Sequence, residues 1–130
     1  MRSLMRAGLR SLFALVMAIL AIPAVNLAGG WLSEHAFGLP PGGTLRLAVD
    51  LFWVCVAGVV GSALMVRLAP AAKTAHAWAI FVIYLAADLH GAITMGADFP
   101  RWFTLGFIGL LPLQVWLGWW LAWGRKRRRA

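Results

Sequence analysis

Four long apolar stretches are separated by short polar breaks. From Ser11 to Leu32 and from Trp102 to Trp123 no charged side chain occurs. Leu47 to Val66 carries only Asp50, and Thr74 to Ala97 carries Asp88 with two histidines, His76 and His90. The apolar residues run on without the polar–apolar alternation that strands of a membrane barrel need. At about 1.5 Å per residue a helix of each length crosses a hydrocarbon core roughly 30 Å thick. The pattern predicts an all-α integral membrane protein with four transmembrane helices, at about 11–32, 47–66, 74–97 and 102–123. One domain then spans 1–130, and 124–130 forms a basic tail.

Composition agrees. The chain is 62% hydrophobic and 12% charged, with a mean hydropathy of +0.82. A soluble domain could not cover its surface with so few polar groups. The single cysteine, Cys55, excludes an internal disulfide and a CxxC redox pair, and it reads as a small apolar packer.

Charge sets the expected orientation. Arg2, Arg6, Arg10, Arg67, Lys73, Arg125, Lys126, Arg127, Arg128 and Arg129 fall on one side of a four-span chain, and only Arg46 and Arg101 fall on the other. Basic residues resist translocation, so the rich side is expected in the cytoplasm with both termini. The loops 33–44 and 98–100 would face outward. Small size and an Ala-, Gly- and Arg-rich composition point to a bacterial inner membrane. Directly after a span, "RKRRR" reads as an anchor on anionic headgroups, and no nucleic-acid partner is expected. Trp102 at one rim, with Trp119, Trp120, Trp123, Arg125, Lys126 and Arg127 at the other, are the expected interface anchors. A cleaved secretory signal ending at Ala28 is the competing reading of the first span, and it leaves the orientation unchanged.

Breaks fall where expected. Pro40-Pro41 and Gly42-Gly43 cannot continue a helix, and Thr44 can cap the next one. Pro23 and Pro112 each remove a backbone donor, which predicts kinks near mid-span.

The unusual chemistry lies in one layer. Measured between flanking charges at the helical rise, Asp88 sits about 4 Å outward of the midplane and His90 about 7 Å. Asn26 sits about 6 Å out, Asp50 about 10 Å, and Gln114 close to the midplane. Asp50 can pair with Arg46 one turn earlier, and it shares a face with Val54, Ala57 and Gly61 that is expected to pack on another helix. Asp88 has no cation on its own helix, and its face carries Ala77, Phe81, Tyr84, Ala92 and Met95. A charge so deep is costly, so the carboxyl is expected to carry a proton, to bind a cation or to bond Asn26 or Tyr84. His90 lies about 200° round the helix with Ala75, Ala79, Ala86 and Ala97. Both faces should avoid lipid, so the third helix is expected at the centre of the bundle or under a partner.

These residues (Asp88, His90, Asp50, Asn26 and Gln114) form the candidate proton or ligand site. A small transport or ion-coupling protein is the first expectation. An accessory or scaffold subunit is the alternative, and no enzyme is expected. The expected partners are the bilayer and either a second copy or another membrane protein. No cofactor is expected: haem at His90 would need a second histidine from His35 or another copy, and a metal held by His90, Asp88 and His35 lacks any recognised ligand spacing.

Overall fold

The structure is a computed structural model that describes residues 1–129; Ala130, the last residue of the expected tail, lies outside them. The described residues are almost wholly helical. Helix α1 runs Arg2–His35, α2 Thr44–Leu68 and α3 Lys73–Met95, closed by a 3₁₀ turn at Gly96–Asp98. The fourth rod is segmented into α4 Arg101–Gly109, α5 Leu111–Trp119, a π-helical turn Trp120–Gly124 and α6 Arg125–Arg129. Four rods, Arg2–His35, Thr44–Leu68, Lys73–Asp98 and Arg101–Arg129, are long and apolar enough to cross a membrane. Each contains its predicted span and overruns it, by one residue at either end of the third rod and by nine at the start of the first, because the helices continue into the polar flanks.

The two prolines act differently. Helix α1 is uninterrupted through Pro23. At Pro112 the rod is interrupted for one residue: Leu110 forms a turn at φ −84° and ψ −8° while its bonds to Gly106 and Gln114 are kept, and Pro112 sits in the first turn of α5, where its missing N–H costs little. Thr44 is the first residue of α2 and does not cap it. Gly43 holds that place at φ 85°, a conformation that favours glycine, and no side chain caps the helix.

The central rod is α2, not α3. It packs against α1, α3 and the α4–α5 rod, while α3 is the least covered of the four. The reason lies in its small residues. Ala57, Gly58, Gly61 and Ser62 are all buried, and a side chain at either glycine would collide with a neighbour. A Cβ on Gly58 would overlap the amide of Gln114, and one on Gly61 would overlap the Tyr84 hydroxyl and lie 3.0 Å from the Ala18 carbonyl. From the fourth rod, Gly118 rests against the α2 backbone at Val59 and Ala63. Such close approach is how apolar helices associate where lipid removes the hydrophobic drive.

The buried core is lopsided. Ala14, Ala18, Met65, Val66, Ala77, Ile80, Tyr84, Leu111 and Val115 form one cluster. Apart from Leu111 and Val115 near mid-span, they lie in the half of the bundle nearer Arg10, Arg67, Lys73 and Arg125, hereafter the basic end. The segment that signal cleavage would remove supplies Ala14 and Ala18 to this cluster. At the basic end Lys73 Nζ donates to the carbonyls of Val66 (2.9 Å) and Ala69 (3.1 Å), closing the C-terminus of α2, and lies 5.8 Å from the Trp123 ring centre. Trp119 Nε1 donates to Thr74 Oγ1 at 3.2 Å, and His76 Nε2 lies 3.0 Å from Ser11 Oγ.

Candidate binding cleft

Helices α1 and α3 touch through His76–Ser11 and through Tyr84, whose hydroxyl donates to the Ala18 carbonyl at 2.7 Å. One turn beyond Tyr84, toward the far end, a cleft of about 290 Å³ begins. Asp88, Gly91 and Met95 of α3 line it, with Asn26 and Ile22 of α1, Val54 of α2, and Phe103, Thr104 and Phe107 of α4. It extends to Gly96 and Phe99 in the far turn. The space exists because Ala87, Gly91 and Ala92 give α3 almost no bulk on this side.

The cleft contains three polar side chains, and none is bonded across it. Among the described residues Asp88 has neither an ion pair nor a side-chain hydrogen bond; the one salt bridge lies elsewhere. Thr104 Oγ1 is buried without a partner. Asn26 Nδ2 donates back to Ile22 O on its own helix at 2.9 Å. Neither of the donors expected for Asp88 therefore reaches it: Asn26 turns to Ile22 and Tyr84 to Ala18. The remaining wall is aromatic. Phe99 stacks on Phe103 with centroids 5.1 Å apart, and Phe103 meets Phe107 edge-on at 5.8 Å.

The other candidate residues are placed apart from this cleft. Asp50 accepts from Arg46 Nε at 2.9 Å, and the same guanidinium donates to the carbonyls of Leu39 and Gly30. That cation is thus spent on tying the first loop to α1 and α2. Gln114 is buried at mid-bundle, its Nε2 3.5 Å from Cys55 Sγ and its amide seated over Gly58. His90 is exposed on the opposite side of α3, with no side-chain hydrogen bond among the described residues. His35 stacks on Trp31 at 4.8 Å. Among the described residues no group of three or more His, Cys, Asp or Glu side chains converges as metal ligands would. Of the interface anchors, Trp119 and Trp123 turn toward α3, Trp120 stacks on Trp116 at 6.4 Å, and Trp102 stands edge-on to Phe103. Arg125, Lys126 and Arg127 are exposed.

Thr104 and the three phenylalanines were not singled out in the sequence. A partial signal was present: Phe103 and Phe107 are four residues apart, which sets them on one face of a helix, whereas Phe99 precedes Pro100 and is extended. Nothing in that spacing says that the face looks at Asp88. A larger groove of about 410 Å³ between α3 and α5, lined by Trp78, Phe81, Trp116 and Trp119 among others, contains no ionisable side chain.

No protein-family model, no curated protein and no solved structure matches this chain.

Proposed function

We propose that this is a multi-pass protein of a bacterial inner membrane, with both termini in the cytoplasm, that couples a proton or another cation through Asp88. The observation that carries the reading is the unbonded carboxyl in a cleft that lies on the far side of the packed core. The ten-to-two distribution of basic residues orients the basic end inward. The far end, with the cleft, then faces outward. Below Asp88 the bundle is closed by the Tyr84–Ala18 contact and by the fully buried Ile80 and Val66. In apolar surroundings without a cation, a carboxyl favours its neutral form. Asp88 can therefore exchange a proton with the outer side while the core blocks passage to the inner side. Movement through the layer would require the Tyr84 contact to open. The bilayer is the first partner in this reading.

The test is infrared difference titration of the carboxyl band in wild-type protein and in Asp88→Asn, which keeps the shape but cannot titrate. A protonated-carboxyl band at neutral pH that the variant lacks is the expected result. A band already absent at pH 5 refutes the proton-carrier role.

One observation favours the accessory-subunit alternative. Helix α3 is the least covered rod, and its open face carries His90 with Ala75, Ala79 and Ala86, all exposed. Small residues of this kind let a second copy or a partner helix approach. In that case Asp88→Asn leaves proton flux in reconstituted vesicles unchanged, and a partner travels with the protein through mild-detergent purification.

A further inference from the structure

We propose that the Asp88 cleft binds a small protonated amine carrying an apolar or aromatic body. The inference deepens the coupling reading and rests on it for the role of the bound cation.

Three features select this class. First, the carboxyl faces no protein cation: no other titratable side chain lines the cleft, Asp50 is held by Arg46 on α2, and His90 lies on the opposite side of α3. Asp88 is half-buried, and a carboxylate partly withdrawn from water gains from a countercharge, which a ligand would supply. Second, that charge would meet Phe99, Phe103 and Phe107, whose ring faces attract cations. Third, the cleft is poor in oxygen. A hard metal ion takes about six oxygen ligands, and the side chains here offer only Asp88, Asn26 and Thr104. An alkylammonium group needs far fewer. Its N–H bonds would go to the Asp88 carboxylate and to Thr104 Oγ1, which has no other partner. Its carbon body would lie along Ile22, Val54 and Met95. The volume, about 290 Å³, falls just below the roughly 300–1,000 Å³ range of ligand pockets, which limits the ligand to a small one.

The experiment measures binding of 2-phenylethylamine to the protein in lipid nanodiscs, with empty nanodiscs subtracted and 2-phenylethanol as the neutral analogue. Protons released on binding are counted in weakly buffered solution. The amine should bind saturably at one site, and the alcohol at least about tenfold more weakly, because it cannot form the charged hydrogen bonds. Asp88→Asn should reduce amine affinity by about tenfold or more while leaving the alcohol unchanged. Phe99→Leu, at a partly exposed position in the turn, should weaken the amine by about two- to fivefold, and it decides the matter if Asp88→Asn does not fold. No saturable binding, equal binding of amine and alcohol, or amine affinity untouched by both variants overturns the inference. If the infrared titration shows a titrating Asp88 and no amine binds, the amine site falls and proton coupling stands. If the amine binds through Asp88 with no proton released, the site stands and proton coupling falls.

Discussion

Replacing Gly58 by alanine tests the packing at the centre of the bundle, because two effects of opposite sign compete there. In an open helix Gly→Ala is stabilising by about 0.5–1 kcal/mol, since glycine loses more backbone freedom on folding. Here the new Cβ would lie inside the contact sphere of Gln114 Oε1, 2.8 Å from its Cδ and 3.1 Å from its Cβ. The amide can swing, but the Cβ of Gln114 is fixed by the α5 backbone. Swinging the amide also forfeits its contact with Cys55 Sγ in a site where Gln114 is only 4% exposed. Overpacking of this kind costs about 1–3 kcal/mol. The net expectation is a loss of about 0.5–2 kcal/mol, up to about thirtyfold in the unfolding constant. Gln114→Ala removes the obstructing amide, so the double variant should be less destabilised than the two single changes added together, by about 1 kcal/mol. Reversible unfolding in mixed micelles of increasing denaturing detergent, followed by tryptophan fluorescence, measures all three. A stabilised Gly58→Ala, or additivity within about 0.5 kcal/mol, refutes the seating of Gln114 on α2.

Tyr84→Phe removes the bond to Ala18 and should cost only about 0.6 kcal/mol, typical of a hydrogen bond between membrane helices; if Asp88 exchanges protons through this contact, the same change should raise proton leak in vesicles, and an unchanged leak argues against a seal there. Lys73→Gln weakens the closure of the α2 C-terminus and should speed amide hydrogen exchange at Val66 to Leu68 while lowering global stability by about 1 kcal/mol or less; unchanged exchange refutes the capping role. Amine affinity should fall as pH drops below the titration of Asp88, by about tenfold per pH unit, since a protonated carboxyl offers no countercharge; no pH dependence rules out direct pairing with Asp88. Reporter fusions after Ala130 and within Gly38 to Gly43 should report cytoplasm and periplasm respectively, and a periplasmic C-terminus sinks the orientation.

Much of the architecture was legible in the chain itself. The uncharged runs marked the four rods, since any other use of so much apolar surface would leave it in water. The Arg46–Asp50 pair followed from spacing alone, four residues apart on one helix. So did the face of α3 that joins Tyr84, Asp88, Ala92 and Met95, because all are fixed to the same helix. What the sequence did not determine is which helix lies opposite which. A span that is apolar on every side has no amphipathic stripe, so its periodicity does not say which face is inside. The small residues of α2 could be read, but not that Gln114 and Tyr84 would fill the notches at Gly58 and Gly61 and make α2, rather than α3, the centre. Nor could the chain show that Asn26 and Tyr84 would bond backbone carbonyls and leave Asp88 free, beside a threonine and three phenylalanines from α4 and the turn before it. Those choices belong to the tertiary structure, because contacts of a few tenths of a kilocalorie between apolar rods are decided by shape, and shape complementarity exists only once both partners are in place.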